Sequence, residues 1–178
     1  MNDLQTLRTW PVTRDGRKLL VRWYGQSRVT DQTRRWQKLV NTFEETFGNQ
    51  MATIVSSPGR TELGGNHTDH NDGRVLCAAV HLDTLACLAI RDDASVDIRS
   101  DGWPTPIVVS LDKLEPVPAE KGTPEALVRG VAAAMVQRGG SVGGFSAVLT
   151  GDVPAGSGLS SSGDRKSVVS GKSVVAGG

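Results

Sequence analysis

Two short segments concentrate the residue types able to do chemistry. The first, residues 58–71, reads P-G-R-T-E-L-G-G-N-H-T-D-H-N. Hydrogen-bonding side chains crowd between glycines, and that composition suits a polyhydroxylated ligand. Each buried hydroxyl left unpaired costs on the order of 1–3 kcal/mol, so a sugar needs several partners in fixed directions. Asp69 can accept from two adjacent hydroxyls, while Asn66 and His67 can donate or accept. Arg60 is a permanent cation, suited to developing negative charge or to orienting a carboxylate. A metal reading of His67, Asp69 and His70 lacks a further ligand that stands out.

The second segment, residues 151–162, reads G-D-V-P-A-G-S-G-L-S-S-S and follows the apolar run 145–149. That order predicts strand, loop and helix start. Glycines let the backbone come close to a phosphate, and N–H groups at a helix start point at the anion. The loop is not G-x-x-x-x-G-K-[ST], since it lacks the lysine, nor G-x-G-x-x-G, since Ser161 occupies the third glycine position. Backbone N–H groups and the helix dipole would hold the phosphate, with serine hydroxyls available to Mg²⁺. Taken singly, the two segments also fit a solvated loop and a structural turn.

These segments need elements to position them. A helix is expected over 30–47, with Trp36, Leu39, Val40, Phe43 and Phe47 on one face, Thr30 or Asp31 as cap and Gly48 as stop. Strands are expected at 52–56, 74–80, 84–90, 95–99, 107–110 and 145–149, with 58–73 a polar segment and 115–121 a loop. Thr123-Pro124-Glu125 starts a second helix, with Leu127, Val131, Ala134 and Met135 as its buried stripe and Gly139-Gly140 ending it. Residues 1–27 are weakly patterned. Strands and helices mix without a regular βαβ repeat, which favours an α+β fold.

The 178 residues suffice for one sizeable domain or a little more. A net charge of +1 gives no reason to expect nucleic acid or an anionic membrane as partner. No apolar run of about 18 residues is present, and the N-terminus lacks an apolar signal core, so a cytoplasmic protein is expected. Cys77 and Cys87 sit in apolar runs and read as buried, reduced thiols. From Gly163 the chain turns repetitive: Lys-Ser-Val-Val occurs at 166–169 and again at 172–175. Ser170-Gly171-Lys172-Ser173 is not a phosphate loop, because Lys166 stands where the earlier glycine is required.

Together the two segments resemble the galactokinases of the GHMP kinase superfamily. Residues 59–71 resemble the signature G-R-x-N-L-I-G-E-H-T-D-Y-N, and 154–162 resemble the phosphate loop P-x-G-x-G-L-S-S-S-A. The resemblance covers roughly residues 36–162. It implies ATP-dependent phosphorylation of the C1 hydroxyl of galactose. It also implies an α+β GHMP kinase N-terminal domain of the ribosomal-protein-S5-like type, with a left-handed crossover. Arg60 would stabilise the transition state. Asn66, His67, Thr68 and Asp69 would line the sugar. Gly156, Ser157, Gly158, Leu159, Ser160, Ser161 and Ser162 would wrap the ATP phosphates, with Ser162 reaching Mg²⁺ and Ser100 a candidate for the nucleotide site. Asn66 replaces the signature's glutamate, His70 replaces its tyrosine and Thr61–Gly64 replace V-N-L-I, which leaves a related sugar open.

The domain organisation expected from this is an N-terminal extension over 1–27, an incomplete GHMP kinase N-terminal domain over 28–162, and a non-native, low-complexity tail over 163–178. The family's catalytic aspartate, its acidic Mg²⁺ ligand and its C-terminal domain lie downstream of the phosphate loop. The chain by itself is therefore expected to be poorly soluble and to show little or no kinase activity. Two other readings share the motifs: a sugar- and ATP-responsive regulator without turnover, and a GHMP kinase for another small alcohol.

Overall fold

The computed structural model describes residues 1–64 and 74–153, and the backbone of 174–176. Asp3 opens the first helix, α1 (Leu4–Thr9), by accepting from the Thr6 N–H at 2.8 Å. Pro11 then forces a 3-10 turn, Trp10–Val12, and Thr13 caps α2 (Arg14–Tyr24) by accepting from the Gly16 N–H at 3.1 Å. A second 3-10 turn, Gln26–Arg28, leads into the long helix α3 (Val29–Phe47), which Gly48 ends at φ 79°.

The strands are β1 (Thr53–Gly64), β2 (Leu76–Ile90), β3 (Ser95–Ser100), β4 (Trp103–Ser110) and β5 (Phe145–Gly151), with α4 (Pro124–Gln137) between β4 and β5. A short β6 (Val174–Ala176) completes one sheet of order β4-β3-β5-β2-β1-β6. Among the described strands, β3 and β5 pair in parallel and the other pairs are antiparallel.

Strand alternation sends side chains to two cores. Ile54, Leu85, Cys87, Ala89 and Val148 pack with Leu4, Leu7, Trp36, Leu39, Val40 and Phe43 of α1 and α3. Ala86, Ala147 and Leu149 face the other way, onto Val96, Ile98, Ile107, Val109 and Val128 of α4. The sheet is thus covered by α1–α3 on one face and by α4 on the other, an α+β layered fold. Trp36 ties the N-terminal helices down: it stacks on Trp10 at 4.6 Å and donates from Nε1 to the Leu7 carbonyl at 2.8 Å.

Gly16 lets α2 close over that turn. A Cβ there would sit 2.0 Å from the Trp10 carbonyl oxygen and 3.1 Å from Pro11 Cα, both backbone atoms. Helix propensity alone favours alanine by about 1 kcal/mol, but the backbone collision dominates. Gly16→Ala is expected to destabilise the chain by about 1–3 kcal/mol in urea unfolding; a stabilised variant would contradict the close packing of α2 on Trp10.

Several expectations are corrected. Residues 1–27 are two helices and two 3-10 turns, built from apolar positions too widely spread for one periodic stripe. Strand β1 continues through the polar residues to Gly64, because β2 supplies partners as far as Leu76. Residues 76–90 form one strand, not two around Asp83, because that acid finds buried partners. Neither Thr30 nor Asp31 caps α3; Arg28 stands at the N-cap without a side-chain bond. In α4 the buried positions are Val128, Arg129 and Ala132 rather than the expected four. That helix is apolar on most sides, and the sheet takes Val128 while Glu120 satisfies Arg129. Cys77 is exposed near the start of β2, among side chains left open by the described residues; Cys87 is buried, and burial pushes its thiol up to about 12.

Candidate functional site

Strands β1 and β2 run past the helical layer as a long antiparallel arm that leads into residues 65–73. Asn66, His67, Thr68 and Asp69 lie outside the described residues, as do Gly156–Ser162; the strands that lead to them are described. The arm changes register twice, between Pro58 and Arg60 and between Glu62 and Gly64. Such bulges twist a strand locally and re-aim its side chains. Arg60 lies just beyond the first, opposite Ala79. Its side chain is 51% exposed and, among the described residues, reaches Glu62, Nη2 to Oε1, at 3.4 Å.

Ser100 ends β3, paired with Leu149 of β5 and Trp103 of β4, and its hydroxyl donates to the Asp101 carbonyl at 3.4 Å. Strands β5 and β2 separate it from β1, and its rung aligns with Val55, not Arg60. Ser100 and Arg60 are therefore roughly 20 Å apart in the sheet. The structure does not bring these two together.

Beside Arg60, between the end of α2 and the arm, is a cleft of about 350 Å³ lined by Arg22, Trp23, Pro58, Ala79, His81 and Asp83 among others. Its floor is a buried polar cluster. The Asp83 side chain is 4% exposed and accepts from the Tyr24 hydroxyl at 2.6 Å, from the Ser56 hydroxyl and from Arg35 Nη1 at 2.7 Å. Burial, with that carboxylate alongside, pushes the Tyr24 hydroxyl far above its ordinary range, so it remains a donor. Arg35 Nη2 also donates to the carbonyls of Asp83 at 2.9 Å and Thr150 at 2.7 Å. Asp152, just past β5, accepts from Arg28 at 2.8 Å and Gln32 at 2.6 Å, and its N–H donates to the Asp83 carbonyl at 2.9 Å.

Sequence reasoning missed this cluster. The available signal was Asp83 itself, an acid inside the apolar run 82–90, which is tolerated only with partners.

A larger cavity, about 740 Å³, lies between segment 114–121 and α4. Arg129 pins that segment through a two-pronged bond to Glu120, at 2.9 and 2.7 Å, and through the carbonyls of Ser110 and Lys113. Hydrogen bonding to Arg129 holds the Glu120 carboxyl below the usual carboxylate range. Among the described residues, no three His, Cys, Asp or Glu side chains gather as a metal site, and no helix is long and apolar enough to cross a membrane.

Comparison with known proteins agrees with this architecture. Residues 41–90 match the galactokinase galactose-binding signature, a stretch that runs from α3 through the β1–β2 arm. The galactokinase of Lactococcus lactis, solved in complex with galactose, is similar at 32% identity and a TM-score of 0.65, over 72% of this chain and 34% of that one. The mevalonate kinase of Methanococcus jannaschii shares the fold at 15% identity and a TM-score of 0.53, over 68% of this chain and 40% of that one. A Lin0012 protein from Listeria innocua does so at 17% and 0.52, over 68% and 36%. The chain spans about a third of the length of the Lactococcus galactokinase it resembles. In signature and fold it is galactokinase-like, with the architecture of a GHMP kinase N-terminal domain.

Proposed function

We propose that the chain carries the sugar- and phosphate-binding part of an ATP-dependent sugar kinase that converts galactose and ATP to galactose 1-phosphate and ADP. The observation that carries this reading is the galactose-binding signature on the β1–β2 arm, in a fold that is 32% identical to a galactokinase. Asn66, His67, Thr68 and Asp69 line the sugar in this reading. Gly156–Ser162 wrap the phosphates with backbone N–H groups, Ser162 contributes its hydroxyl to Mg²⁺, and Ser100 belongs to the nucleotide site. Arg60 fits its role as charge stabiliser, because its side chain is half exposed and its contact with Glu62 is long, at 3.4 Å. Mg²⁺ held with the help of Ser162 would supply charge neutralisation for the phosphoryl group; this chain's own share would be to orient sugar and nucleotide. A cytoplasmic setting, where Cys77 and Cys87 stay reduced, belongs to the same reading.

Titration calorimetry with galactose, glucose and an ATP analogue tests it. Galactose is expected to bind at least about tenfold more tightly than its C4 epimer, since the site's polar groups would be left unpaired by the wrong sugar. Equal or absent heats for both sugars would remove galactose as the substrate. A different sugar winning in a panel would be traced first to Asn66.

A further inference from the structure

Asp83 occupies an unusual junction. It forms the last regular rung of the β1–β2 ladder, opposite Pro58, before the bulge that precedes Arg60. Its carbonyl takes the N–H of Asp152, the residue at which the chain leaves β5. Its carboxylate holds Ser56 of β1 and Tyr24 of α2, and Arg35 clamps both its ends while also binding Thr150 of β5. One cluster therefore fixes the root of the arm that bears Arg60 and the exit of the strand that precedes the glycine-rich segment.

Stability gives little reason for ions here. A buried pair rarely outperforms well-packed apolar residues, and the same strand buries Leu85, Cys87 and Ala89 on that face without difficulty. Directional bonds do what packing cannot: they set an angle between two elements where the regular ladder ends.

We propose that Asp83, Arg35 and Asp152 are positioning residues of the kinase site, setting the Arg60-bearing arm against the exit of β5. The inference rests on the sugar-kinase reading and assigns the supports of that site. Asp152 acts on the phosphate side and the Tyr24–Asp83 bond on the sugar side, with Arg35 joining them.

The test uses two mild variants of the full chain, Asp152→Asn and Tyr24→Phe, with galactose and an unhydrolysable ATP analogue titrated singly. Asp152→Asn is expected to weaken the nucleotide about tenfold and leave galactose within about twofold; Tyr24→Phe is expected to do the reverse, since misplacement of a supporting element acts on the group it supports. Melting temperature is recorded for each. A purely structural cluster would lower both affinities together, in step with the melting temperature, and that outcome overturns the proposal. Unchanged affinities in both variants, with a parent chain that binds both ligands, overturn it as well while leaving the sugar-kinase reading intact. A parent chain that binds neither ligand removes that reading, and the positioning roles with it.

Discussion

Arg35→Met is expected to destabilise the chain by on the order of 3–5 kcal/mol, because it strands a buried carboxylate. The Arg35 side chain is 10% exposed and the Asp83 side chain 4%. Methionine would fill much of the volume yet remove the cation and the donors to two carbonyls, those of Asp83 and Thr150. Asp83 would keep its bonds from Tyr24 and Ser56, neither of which carries charge. The loss is a large fraction of an ordinary domain's total of about 5–15 kcal/mol. Urea unfolding followed by tryptophan fluorescence reads it directly, since Trp36 and Trp10 are stacked in the adjoining core. The double variant Arg35→Met with Asp83→Leu separates pairing from packing. Removing both charges should restore much of the stability, and the interaction energy from the cycle should exceed about 1 kcal/mol. A single variant within about 1 kcal/mol of the parent would sink the claim that Asp83 depends on this arginine.

That arginine also marks where the sequence stopped being legible. Helix α3 could be read because Trp36, Leu39, Val40 and Phe43 repeat at helical spacing and Gly48 ends the run. The start of α4 was equally plain from Thr123 and Pro124, and Thr123 does accept from the Ala126 N–H, at 3.5 Å. Residues 76–90 looked like two strands because aspartate is depleted from strands. Nothing local announces that Arg35, 48 residues away, satisfies it. Residues 1–27 were opaque for a different reason: Pro11 divides their apolar positions between α1, six residues and too short to show a period, and α2, where the four-residue spacing of Gly16, Leu20 and Tyr24 is carried by only two large side chains. The chemistry of the arm was readable from residue types, whereas the cluster beneath it depends on contacts between six separate elements.

Arg60→Ala is expected to act in the opposite way to Arg35→Met, on binding of the transition state and hardly on stability. Its side chain is 51% exposed and its guanidinium 3.4 Å from Glu62, and an exposed pair of this kind contributes about 0–1 kcal/mol. Urea midpoints of parent and variant should therefore nearly coincide. In the proposed kinase the same group meets the charge that develops on the transferred phosphoryl oxygens, where one well-placed arginine is worth about a thousandfold or more in rate. The register shift between Pro58 and Arg60 fits that role, since bulges commonly re-aim the side chains beside them. Affinity for ADP with aluminium fluoride, a planar mimic of the phosphoryl group in flight, set beside affinity for plain ADP, separates transition-state binding from ordinary attraction to an anion. Arg60→Ala should lose the mimic by about a hundredfold or more while plain ADP weakens far less. Lysine should recover only part of the loss, because it keeps the charge without the planar fork. Equal loss of ADP and of the mimic would reduce Arg60 to a general phosphate contact. Affinity for the mimic within about twofold of the parent would remove Arg60 from the reaction altogether.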